Sequence, residues 1–152
     1  MKRIVIYALL MVTALVLPIQ GVDVGKLLPV ELVQIYKEED TVVITTDVGA
    51  AGTGLTVKSA VENLKATTSG IIFLDTADYL LIDETAQEEA LELAKYLKPF
   101  VRVCDAAIDV DLRDAAMFLG VHKPKARLKD QQGQYKTEIL TIENGRMILK
   151  EN

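Results

Sequence analysis

Several residue types that commonly carry chemistry are almost missing from this chain. There is one cysteine, one histidine and no tryptophan in 152 residues. A single cysteine excludes an intramolecular disulfide, and one histidine with no second histidine or cysteine nearby excludes a zinc set. His122 is followed by Lys123 and Pro124 and has no serine placed beside it as a nucleophile, so it is expected to be a solvated loop residue. Cys104 lies in the alternating run Phe100–Cys104 with neither a histidine nor a basic cluster nearby to activate it, which fits a packed strand residue.

Positive charge is also scarce. The formal net charge is −5, and residues 1–21 contain Lys2 and Arg3 but no acid, so removing them leaves −5 − 2 = −7. An acidic body argues against nucleic acid or an anionic membrane face as partner, and Lys123, Lys125, Arg127 and Lys129 form only a small basic stretch. No apolar run reaches the roughly 20 residues that cross a bilayer. Ile4–Leu17, behind Lys2 and Arg3 and closed by Pro18, has instead the form of a secretory signal, with cleavage expected after Gly21. If it were not cleaved, this segment would be the protein's membrane attachment. In either case the folded part is expected outside the cytoplasm.

What remains is half apolar and sufficient for one ordinary core. Residues 22–29 read as a linker and 30–152 as one globular domain. Val30–Tyr36 and Thr41–Asp47 read as strands joined by the polar turn Lys37–Asp40, the pattern of a hairpin. Gly49, Gly52 and Gly54 then read as a flexible loop. Thr56 is positioned to cap a helix whose stripe is Val57, Ala60, Val61 and Leu64. Ile71–Leu74 reads as an apolar strand, Asp75–Asp78 as a break and Tyr79–Ile82 as a second strand.

Thr85 and Glu88 have capping-box spacing ahead of the stripe Ala90, Leu93, Ala94 and Leu97, with Pro99 as the stop. Strand Val101–Cys104 follows, and Asp111 caps the stripe Leu112, Ala115, Ala116 and Leu119, with Gly120 expected just past the helix end. Lys129–Gln134 is polar. Tyr135–Ile142 and Arg146–Lys150 flank an Asn-Gly turn and form a hairpin. The expected fold is α/β (α+β): a mixed sheet with three packed helices in the order ββαβαβα, followed by a C-terminal β-hairpin.

Two stretches invite a chemical reading. Gly49–Thr56 (GAAGTGLT) matches the phosphate-binding pattern G-x-x-x-x-G-K-T except that Leu55 stands where the lysine belongs, and Ile71–Asp75 resembles the acidic strand that accompanies it. Leucine cannot supply the charge that meets the β- and γ-phosphates. Gly52, Gly54 and Thr56 remain candidates for a smaller anion at a helix N-terminus. Asp75 is the candidate for a metal ion. With Asp105, if their strands are neighbours, it would form a carboxylate pair able to hold a hard cation or act as acid and base. Asp83 and Asp111, by contrast, stand where helix caps belong.

From Val30 to Leu119 the motif order is Thr41–Asp47, a glycine-containing segment, Gly54–Leu55–Thr56–Val57–Lys58–Ser59–Ala60, Leu64, Ile72–Leu74, Asp75–Asp78, Tyr79–Ile82, a helix, Pro99–Cys104 and a short Ala/Leu helix. This order resembles the first domain of the Ger(x)C spore germination lipoproteins. The chain departs from that family in having no cysteine at the end of its signal for a lipid anchor, and in ending with its own hairpin where further domains would follow. The resemblance implies an exported, non-catalytic module that binds another envelope protein, in a spore-forming bacterium, with no cofactor and no catalytic residues to carry over. The alternative is an exported small-ligand, phosphate- or metal-binding domain, or an enzyme, using Gly49–Thr56 and Asp75.

Overall fold

The computed structural model describes residues 24–106, 110–128 and 137–151. The signal reading of residues 1–21 and the polar stretch Lys129–Gln134 lie outside the described residues. Among those described, seven strands form a mixed sheet in the order β4-β3-β2-β6-β7-β8-β9. These are β2 (Leu32–Glu38), β3 (Thr41–Thr46), β4 (Ala51–Gly54), β6 (Tyr79–Ile82), β7 (Arg102–Ala106), β8 (Glu138–Glu143) and β9 (Arg146–Glu151). Neighbours among β2, β6, β7 and β8 pair in parallel, while β3, β4 and β9 join antiparallel. Two further strands, β1 (Leu27–Pro29) and β5 (Ile71–Phe73), make a separate two-stranded parallel sheet. Part of the stretch read as a linker is therefore a strand.

Alternation on the central strands builds two apolar layers. Val33, Ile35, Leu80, Ile82 and Val103 face α1 (Val57–Thr67) and α2 (Gln87–Leu93). Leu32, Leu81, Cys104 and Leu140 face α3 (Leu112–Val121) on the other side. Because β6, β7 and β8 are parallel and step the same way across the sheet, crossovers with helices on opposite faces have opposite hands.

The expected stripes are the buried faces of the helices: Val57, Ala60, Val61 and Leu64 in α1, Ala90 and Leu93 in α2, and Ala115, Ala116 and Leu119 in α3. The C-terminal hairpin turns on Asn144 (φ 50°) and Gly145 (φ 74°), the left-handed pair that a two-residue loop needs.

Four local expectations are corrected. Strand β2 begins at Leu32 rather than Val30, because Thr76 Oγ1 holds both the amide and the carbonyl of Val30 and the Glu31 carbonyl accepts from Asp78 and Tyr79. The glycine segment is not a loop: Ala51–Gly54 is strand β4, paired with β3. The capping box at Thr85 and Glu88 does not form. Asp83 caps a 3-10 turn (Glu84–Ala86) that leads into α2, and Thr85 Oγ1 donates to Asp83 Oδ1 at 2.6 Å. Gly120 lies inside α3, which runs on to Val121 and is capped by His122, whose amide reaches the Phe118 carbonyl at 2.8 Å.

Candidate functional site

The phosphate-loop candidates are absorbed by packing. Gly52 and Gly54 lie on β4 opposite Ile44 and Val42, directly under α1. A Cβ on Gly52 would lie 2.3 Å from the Ala60 carbonyl oxygen and 2.5 Å from Leu64 Cβ, and one on Gly54 would lie 2.2 Å from Ser59 Oγ. These glycines let a helix sit on a strand at backbone distance. Of the three glycines in this segment, Gly49 alone has the positive φ (79°) expected of a turn. Thr56 caps α1 as expected: its hydroxyl accepts from the Ser59 amide at 3.2 Å, and Ser59 Oγ accepts from the Thr56 amide at 3.0 Å. The amides of Ser59 and Ala60 are thereby occupied within the helix end. Leu55, at the position of the missing lysine, is 78% exposed.

The two carboxylates are not brought together. Asp75 follows β5, in a 3-10 turn (Leu74–Thr76) that precedes β6. Asp105 pairs with Ile82 at the carboxyl end of β6. The strand before Asp75 belongs to the small sheet, so the two acids stand at opposite ends of β6. Asp105 accepts from Thr137 Oγ1 and, at 3.4 Å, from Gln87 Nε2. Among the described residues no group of three His, Cys, Asp or Glu side chains is arranged to hold a metal ion.

In open α/β sheets ligands favour the crevice at carboxyl strand ends where the connections diverge. Here that point lies between β2, whose chain turns to β3, and β6, whose chain leaves through α2 to β7. It is closed by polar side chains. Thr85 Oγ1 accepts from the Lys37 amide at 3.0 Å, Asp83 Oδ1 accepts from the Thr85 amide at 3.0 Å, and Lys37 Nζ pairs with Glu89 at 2.9 Å. The hydrogen bond from Lys37 holds the Glu89 carboxyl below its ordinary range, and the same bond raises the Lys37 ammonium.

Cys104 is fully buried facing α3, and loss of solvent, aided by Asp105 and Glu138, pushes its thiol far up, out of nucleophilic range. His122 is exposed at the end of α3, its ring 4.5 Å from that of Phe118.

An open groove of about 470 Å³ lies elsewhere, along β5. Its walls are the consecutive residues Gly70–Asp75 together with Lys65 and Tyr96. Of these the sequence marks only Asp75; Lys65 and Tyr96 join it through the packing of α1 and the turn after α2 on β5, which no local pattern records. A second hollow of about 380 Å³ lies between Leu28, the β3–β4 turn and the end of α1.

No family model, no curated protein and no solved structure matches the chain.

Proposed function

We propose that this chain is an exported, non-catalytic module of the bacterial envelope that binds another protein, with a link to sporulation or spore germination. The observation that carries the non-catalytic part is the use made of the polar groups. Gly52, Gly54 and Thr56 seat and cap α1, Asp83 and Asp111 cap helical turns, and the crevice between β2 and β6 is filled by the chain's own side chains. Large apolar side chains left exposed to solvent include Ile71 and Phe100. The envelope and sporulation part rests on the resemblance between Val30 and Leu119 and on the signal-like residues 1–21.

The competing reading, a small-ligand, phosphate or metal site using Gly49–Thr56 and Asp75, is supported by Asp75 facing an open groove. Thermal unfolding with ATP, GTP, inorganic phosphate, Mg²⁺ and Ca²⁺ separates the two, because a ligand that binds only the folded form raises the melting temperature. No shift is expected. A rise of several degrees that disappears in Asp75→Ala would overturn the protein-binding reading. In-cell cross-linking of the full chain in a sporulating bacterium tests it directly, with capture of a defined envelope protein as the expected result.

A further inference from the structure

We infer that the edge of β5 left unpaired among the described residues is the docking site for one extended segment of a partner protein, which adds beside β5 as a third strand and carries an acidic residue toward Lys65 and a basic residue toward Asp75. The inference rests on the protein-binding reading and names the surface and the partner's chemistry.

The small sheet is incomplete by the ordinary rules of strand assembly. Parallel sheets are normally covered on both faces, and two strands alone are marginal in water. Here β1 and β5 pair in parallel over three residues each. One face is finished: Ile72 lies in the core shared with α1 and α2. The other bears Leu27, Pro29, Ile71 and Phe73, all apolar and at least partly exposed, with Ile71 at 44%. Such a surface gains from a further strand whose alternate side chains lie beside Ile71 and Phe73 on the same face.

The groove has the form that strand addition requires. Its wall contains every residue from Gly70 to Asp75, so it runs the whole length of β5. In strand addition the main chain supplies affinity and alternate side chains supply specificity. Lys65 and Tyr96 line the groove beside this strand.

Charge gives the partner its chemistry. Lys65 stands in the last turn of α1, before β5 begins, and Asp75 stands just beyond its end. Among the described residues neither is joined to a side chain of opposite charge. A strand running parallel to β5, as β1 does, meets the ammonium first and the carboxylate last. The fitting order is acid, apolar, any residue, apolar, base, with the two apolar side chains beside Ile71 and Phe73.

The test uses the full chain and two end-blocked peptides, Glu-Val-Thr-Val-Lys and Lys-Val-Thr-Val-Glu, with binding read by fluorescence polarisation and the contacted amides by hydrogen exchange. The first peptide is expected to bind at least about tenfold more tightly, as oppositely placed rim charges discriminate, and to slow exchange at Ile71–Phe73. In the double variant Lys65→Glu/Asp75→Lys the preference inverts. Both residues are exposed, and an unchanged melting temperature confirms that the variant is folded. Binding of neither peptide, equal binding of both, preference for the Lys-first peptide, or protection confined to another strand such as β9 would each overturn the inference. If an envelope partner is captured through another surface while β5 stays unprotected, this docking site falls and the protein-binding reading stands.

Discussion

The amide of Thr53 donates to the Asn63 side-chain oxygen at 3.1 Å, so a helix side chain takes a hydrogen bond that β4 would otherwise offer to a neighbouring strand. Two residues back, the Ala51 carbonyl accepts from Thr67 Oγ1 at 3.2 Å. Thr53 and Ala51 sit opposite Val43 and Thr45, alternating with Gly52 and Gly54 along β4. One edge of the seven-stranded sheet is thus closed by α1, a common defence against edge-to-edge association.

Asn63→Ala should reopen that edge. The expected loss is about 1 kcal/mol, typical of one hydrogen bond, together with increased light scattering at high protein concentration. Urea unfolding and static scattering measure both. Scattering equal to wild type would show that Asn63 does not protect the edge.

Gly52→Ala should be far more costly than its one methyl suggests. The new Cβ would sit 2.3 Å from the backbone oxygen of Ala60, which no rotamer change can relieve. Overpacking of this kind costs about 1–3 kcal/mol or more. Gly120→Ala is the control: it lies in open space within α3 and should stabilise by roughly 0.5–1 kcal/mol. Paired denaturation curves check the opposite signs.

Leu55→Lys restores the phosphate-loop pattern in sequence, yet it should not confer nucleotide binding. Residues Ala51–Gly54 are committed to pairing with β3 and to contact with α1, so no loop is present to surround a phosphate. The variant should fold normally, because Leu55 is 78% exposed. An ATP-dependent rise in its melting temperature would refute this account.

The Lys37–Glu89 pair should make stability depend on acid. The folded Glu89 carboxyl titrates below its unfolded value, so its contribution is complete above the ordinary glutamate range near 4.5 and fades as pH falls through the folded value. Glu89→Gln should therefore be less stable than wild type at neutral pH, with the gap closing as the solution is acidified below pH 4.5. Melting temperatures across that range test the sign. A gap that widens on acidification would contradict it.

Much of the fold could be read from periodicity. The first and third stripes, the Asp111 cap, the β2–β3 hairpin and the Asn144–Gly145 turn depend on spacing within a few residues, and each forms as expected, whereas the second stripe is split: α2 ends at Leu93, Ala94 opens a 3-10 turn and Leu97 is extended. The readings that changed depend on what lies across space. Gly52 and Gly54 looked like loop residues because glycine serves both for freedom of φ and for close approach, and only the position of α1 separates the two. Asp75 and Asp105 looked like possible partners because each follows an apolar run, but the strand before Asp75 pairs with β1 instead of entering the main sheet.

Sequence alone determined the class of the fold, because 3.6-residue and two-residue apolar periods, caps and turn residues act over neighbouring positions. It also excluded an intramolecular disulfide and a histidine–cysteine metal set, by composition. Tertiary structure decided which residues meet. It put α3 on the face opposite α1 and α2, turned the glycine segment into a helix-sealed edge strand, and left β5, among the described residues, with one unpaired edge beside Lys65, Asp75 and Tyr96. Those outcomes follow from contacts between residues distant in sequence, where burial and backbone pairing decide and local pattern carries no information.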